Sequence, residues 1–122
     1  MLDAERIAGL RDKARALRRE IVTMVHRANS GHVGGSLSAA DLIVALYHAA
    51  MNVDSARPEW PERDRFVLSK GHCTPALYAV LAQRGFFPAR ELETFRRIGS
   101  HLQGHPYAPK TPGVDASAFE LA

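Results

Sequence analysis

The sequence has 122 residues, 46% hydrophobic and 24% charged, with a formal net charge of +3. That length allows one domain at most, and the composition is that of an ordinary globular chain. The mild positive balance suits small anions, but no Lys/Arg block interleaved with aromatics is present, which argues against a nucleic-acid partner. The apolar runs are too short to span a bilayer, so no membrane partner is expected. The first residues, MLDAERIAGL, lack the apolar core of a signal peptide. Cys73 is the only cysteine and cannot form an internal disulfide. These features together read as a cytoplasmic protein.

Asp3 to Ala28 has a helical period. Ile7, Leu10, Ala14, Leu17, Ile21, Met24 and Val25 recur at steps of three or four. Asp3 is placed to cap the start of this helix. Arg11, Lys13, Arg15, Arg18 and Arg19 fall mostly on the opposite, solvated face.

Asn29-Ser30-Gly31-His32-Val33-Gly34-Gly35-Ser36 follows and reads as a loop, because glycines and hydroxyl residues dominate it. Ser38 with Asp41 resembles a capping box, predicting a helix over 38–50. A glycine-rich loop entering a helix N-terminus can present backbone N–H groups to an anion. The spacing matches neither G-x-G-x-x-G nor G-x-x-x-x-G-K-[ST]. A plain helix–helix connection remains open from these residues alone.

Residues 52–62, with Pro58, Trp60 and Pro61, form a connection that cannot be helix interior. Arg63 to Tyr78, RDRFVLSKGHCTPALY, is the stretch that organises the chain. Phe66-Val67-Leu68 predicts a short strand, Gly71-His72 a turn, and Thr74-Pro75 the cap and first residue of a helix over 75–84. In α/β sheets a ligand sits at such a turn. Gly85 ends the helix. Cys73 has no orienting carboxylate nearby and reads as structural. The helices of 38–50 and 75–84 are apolar over more than a narrow stripe, as if covered on two sides.

A further helix is predicted over 89–97, followed by Ser100-His101-Leu102-Gln103-Gly104-His105-Pro106. Gly-His thus occurs at 31–32, 71–72 and 104–105, each time in a loop. A metal site is disfavoured, because no two of these histidines have close ligand spacing and no carboxylate shares their loops. A polar pocket built from several loops fits the pattern better.

Three segments, SGHVGGSLSAADLIVALY, RDRFVLSKGHCTPALYAVLAQRGFF and LQGHPYAPKTPGVDAS, resemble the amino-terminal part of transketolase. The likeness runs from about Ile21 to Ser117 and is nearest to the amino-terminal subunit of two-chain transketolases. It implies an α/β domain that binds the diphosphate end of thiamine diphosphate. The expected form here is an incomplete one spanning 1–122, mostly helical, with one short strand near 66–68. The resemblance also implies transfer of a two-carbon ketol unit between sugar phosphates. By position, His32 matches the histidine near the thiazolium and substrate, and His105 the one that hydrogen-bonds donor-sugar hydroxyls. His72 matches the histidine on the cofactor diphosphate, and Gly35 a position lining the cofactor site. Imidazoles can donate to oxyanions or move protons, while the carbanion chemistry belongs to the cofactor.

The sequence also departs from that pattern. Where the family continues TPGVDAS with Thr-Gly-x-Leu-Gly, this sequence reads Ala118-Phe119-Glu120-Leu121-Ala122. The family's magnesium-binding Gly-Asp-Gly and Asn, and the Glu that activates the thiazolium, have no counterpart here. The expectation is therefore an amino-terminal segment, inactive by itself, that binds neither thiamine diphosphate nor Mg2+ tightly. It would work with a second transketolase subunit or self-associate. Two other readings are a non-catalytic helical module that binds a partner, and a segment of an enzyme like deoxyxylulose-phosphate synthase.

Overall fold

The computed structural model describes residues 2–118. Helix α1 is Ala4–Ala28, α2 is Gly34–Ala45 and α3 is Thr74–Gln83. A π-helical turn, Leu46–Ala50, prolongs α2, and 3-10 turns occupy Gly71–Cys73 and Ala89–Thr94.

The three α-helices pack pairwise against one another. The inward stripe of α1 is Ala14, Leu17, Ile21 and Met24, each at most 2% exposed. It meets Ala40, Ile43 and Val44 of α2 and the apolar residues of α3 in a single core. Each large apolar side chain buried there contributes about 1.5–3 kcal/mol relative to exposure. Asp3 caps α1 as expected, its carboxylate accepting the Arg6 N–H at 2.8 Å.

α3 is the central element. All residues from Thr74 to Leu81 are buried, so its apolar character beyond a stripe has a physical reason. It stops where Gly85 takes φ +83°, a backbone state that favours glycine. On α2, by contrast, Leu42 stays 66% exposed.

Four local expectations need correction. Among the described residues there is no strand, and 64–68 has no regular structure. A strand requires a neighbouring backbone. Here the Phe66 N–H is taken by the Asp115 carboxylate at 2.8 Å instead. Val67 points outward and Leu68 inward, so the alternation survives without the ladder. α2 begins at Gly34, not near Ser38, and its N-cap residue is Val33. Ser38 donates to the Gly35 carbonyl at 3.0 Å and Asp41 pairs with Arg18, so neither forms a capping box. Thr74 is the first residue of α3 rather than its cap. The predicted helix over 89–97 is a 3-10 segment ending at Thr94. The divergent stretch after Ala118 lies outside the described residues.

Candidate functional site: a face carrying three histidines

His32 and His72 come from different loops and meet edge to face, with ring centroids 4.9 Å apart. His32 precedes α2, and His72 sits in the 3-10 turn that leads into α3. Two helix N-termini are therefore brought together, and the link between them is Ser36. Its fully buried hydroxyl donates to the Cys73 carbonyl and accepts the Ala76 N–H, both at 3.3 Å. Ser36 thus satisfies a first-turn donor of α3, whose own N-cap residue, Cys73, makes no side-chain bond.

The start of α2 is electropositive. It has no side-chain cap and no acidic residue in its first turn. The Lys70 ammonium crosses it, donating to the Gly35 carbonyl at 2.8 Å and to Ser38 Oγ at 3.3 Å. A cation beside the N–H end of a helix leaves positive potential that only an anion would neutralise. Gly35 lies in the middle of this arrangement. A β-carbon there would collide with Cys73 Sγ, and His72 Nε2 and Lys70 Nζ would each lie 3.8 Å from it. Burial pushes the Cys73 thiol pKa up and Lys70 opposes this more weakly, so the sulfur packs rather than acts as a nucleophile.

His105 is hung from α3 by hydroxyls. Tyr78 donates to the Gln103 carbonyl at 2.7 Å, and Thr74 to the Gly104 carbonyl at 3.1 Å. Burial raises the Tyr78 phenol pKa well above its ordinary value, which keeps it a neutral donor. A β-carbon on Gly71 would lie 3.3 Å from His105 Cδ2 and 3.7 Å from Pro106 Cδ. The three Gly-His segments are therefore contiguous: His32 lies on His72, and the adjoining Gly71 lies on His105. All three imidazoles are solvent-exposed. The face is open rather than pocket-like. A groove of about 890 Å3 lies elsewhere, between Trp60, Arg63 and Lys110, and holds none of these histidines. Ser36, Lys70 and Tyr78 do not stand out in the sequence, and Thr74 does so only as a cap, because their partners are mostly backbone groups far along the chain.

The donor set can be tested against a diphosphate and a metal separately. Lys70, His72 and the open N-terminus of α2 suit phosphate oxygens. A magnesium ion does not fit: among the described residues no group of three or more His, Cys, Asp or Glu side chains is placed to hold a metal. Nor is any described helix long and apolar enough to cross a membrane.

Fold and face together define a helical module whose exposed histidines adjoin an electropositive helix start. More particularly, residues 10–121 match the model of the transketolase thiamine diphosphate binding domain, and the chain belongs to that family. It is 42% identical over 118 residues to the 6-deoxy-6-sulfo-D-fructose transketolase subunit of Clostridium sp. (strain MSTE9), covering 97% of this chain and 43% of that subunit. Identity is 41% over 104 residues to an apulose-4-phosphate transketolase subunit of Phocaeicola vulgatus, covering 85% and 37%. The structure superposes on transketolase from Leishmania mexicana with a TM-score of 0.85 at 34% identity, covering 88% of this chain and 16% of that one. The chain thus spans less than half the length of these relatives.

Proposed function

We propose that these residues are the amino-terminal, diphosphate-side part of a transketolase that moves a two-carbon ketol unit from a ketose phosphate to an aldose phosphate. The observation that carries this reading is the contact of His32 with His72 at the uncapped start of α2, with Lys70 across it. Lys70, His72 and the backbone around Gly35 would hold the diphosphate. Thiamine diphosphate, when bound, supplies the carbanion-stabilising chemistry. His32, against His72, and His105, against Gly71, would orient sugar hydroxyls and hold or move their protons. The remaining contacts, including those of Mg2+, come from outside the residues described here. The rest of such an amino-terminal subunit would supply some of them and a second polypeptide the others, as the subunit names and lengths of the two-chain relatives suggest.

The same reading makes these residues inactive when alone. One charge-assisted hydrogen bond from His72 contributes about 1.5–3 kcal/mol. Association loses about 4–15 kcal/mol of translational and rotational freedom, which a few such bonds do not offset.

The test replaces the corresponding residues of a two-chain transketolase's amino-terminal subunit with residues 21–117 of this chain. Ketol transfer should persist in the chimera. His32→Ala, His72→Ala and His105→Ala should each lower it, the proton-handling positions by roughly 10²–10⁴-fold. A folded chimera with no transfer, or one indifferent to all three substitutions, would refute the assignment. Calorimetry on the 122-residue chain with thiamine diphosphate and Mg2+ should show no micromolar binding.

A further inference from the structure

We infer that the groove between residues 57–65 and 108–115 is a docking site for an acidic, extended peptide segment of a partner protein. The groove holds none of the three histidines, so the inference stands apart from the transketolase reading.

The first observation is that the groove is built in advance. Its volume of about 890 Å3 lies in the upper part of the range of ligand sites, about 300–1,000 Å3. One wall is a run of turns. The Trp60 N–H donates to the Arg57 carbonyl at 3.0 Å, and the Arg63 N–H to the Trp60 carbonyl at 3.1 Å. The other wall is pressed onto the core, where a β-carbon on Gly113 would lie 2.7 Å from both Leu81 Cδ2 and Phe86 Cδ1. The buried pair of Arg63 Nε with Asp115, at 2.9 Å, joins the two walls. Pro58 and Pro61 stiffen the first wall, and Pro109 and Pro112 the second. A rigid groove loses little freedom of its own when a segment binds.

The second observation is that the lining offers donors and few acceptors. The indole N–H of Trp60 and the ammonium of Lys110 make no hydrogen bond to any described residue. Arg65 is exposed and spends one N–H on the Pro61 carbonyl at 3.3 Å. Arg57 lies over the Trp60 ring, 5.0 Å from its centroid, with its Nε held by Asp54.

The third observation is charge. Four cationic side chains line the groove, and the carboxylates facing them are Glu59 and Asp115. Asp115 is taken by Arg63. Asp54 lies outside the lining and pairs with Arg57 in an exposed bridge, which contributes little. A cationic rim opposed by one carboxylate, Glu59, is complementary to spaced carboxylates, and the rings of Trp60 and the prolines take the apolar side chains between them. The groove is an open trough and not an enclosed cavity, which suits a chain passing along it more than a small molecule.

Trp60 is the only tryptophan, so its fluorescence reports on this groove alone. The test titrates the 122-residue chain with a six-residue peptide of alternating glutamate and leucine. A saturable change in Trp60 emission should appear, and added salt should weaken it. The same peptide with glutamine for glutamate should give none. Arg65 and Lys110 are exposed, so the double substitution Arg65→Gln/Lys110→Gln should keep the fold and weaken binding about three- to tenfold. Glu59→Gln, which removes the opposing carboxylate, should tighten it. The inference is overturned by the absence of a saturable response, by an equal response to the glutamine peptide, or by an affinity unchanged in the double substitution. Citrate binding as tightly as the peptide would assign the groove to a small polyanion and overturn the peptide reading as well.

Discussion

The two halves of the histidine face are held in different ways. The half carrying His32 and His72 is tied at the junction of two helix N-termini by one buried serine and one lysine, all within the core's edge. The half carrying His105 is a proline-rich loop hung from α3 by two hydroxyls. Behind it, the Arg63–Asp115 pair fastens the chain's later residues to the stretch around Phe66. A defect in the first half should act locally on two helix starts. A defect in the second should release a long segment.

The largest expected effect is therefore at Asp115. Its side chain is only 5% exposed, and it accepts from Arg63 Nε at 2.9 Å and from the Phe66 N–H. Asp115→Ala would strand a guanidinium that is itself 13% exposed. Removing one partner of a buried pair costs about 3–5 kcal/mol. Urea denaturation should show that loss, and amide exchange should quicken through residues 103–118 before α1. Uniform loss of protection with no early release of that segment would break the distinction between the halves.

Next comes Gly35. Gly35→Ala puts a methyl group into Cys73 Sγ, and overpacking of this kind costs about 1–3 kcal/mol. Cys73→Ala should restore room, so the double substitution Gly35→Ala/Cys73→Ala should be more stable than Gly35→Ala alone. Absence of that coupling in the double-mutant cycle would show that the glycine serves something other than packing. Both requirements meet at this residue, since Lys70 and His72 are also its neighbours.

Legibility in the sequence follows the range of the forces involved. α1 is readable because its stripe of Leu17, Ile21 and Met24 repeats at the helical period and Asp3 is a local cap. The Gly-His segments are readable as loops for the same local reasons. The start of α2 is not. Propensity places Gly34 and Gly35 outside a helix, but Ser36 and Lys70 bonds from across the fold hold them in one. The strand expected at 66–68 does not form because β propensity describes a fit to a neighbour, and Asp115 supplies the acceptor instead. Arg96 reads as helical because nothing local signals a positive φ there.

A smaller contrast sets Ser36 against Tyr78. Ser36→Ala leaves the Ala76 N–H and the Cys73 carbonyl without their buried partner, a loss of about 1–2 kcal/mol. Tyr78→Phe keeps the ring against Phe95 and deletes the bond to the Gln103 carbonyl together with a longer one, 3.4 Å, to the His105 carbonyl, about 1 kcal/mol. The readout that separates them is the imidazole environment. Ser36→Ala should perturb the His32 and His72 ring signals and spare His105, and Tyr78→Phe should do the reverse. The same signals moving in both variants would mean that the two halves respond as one body.

The smallest effect lies outside the face and serves as its control. His48, in the π-helical turn, has Nε2 3.0 Å from Gln83 Oε1, and Gln83 donates in turn to the Lys13 carbonyl at 3.0 Å. Burial lowers the His48 pKa, Lys13 and Arg84 push the same way, and the Gln83 bond opposes them. A folded-state pKa below the unfolded one means that the folded chain binds fewer protons. The resulting stability is fully present above the ordinary histidine value of about 6.5 and is lost as pH falls from there through the folded pKa. Partial exposure of the ring to solvent keeps the effect modest. His48→Gln has nothing to titrate, so its stability relative to the unsubstituted chain should be constant above that value and should improve below it. Urea midpoints measured for both chains across the acid side of neutrality give the comparison directly. A constant difference at every pH would show that His48 is not the group responsible.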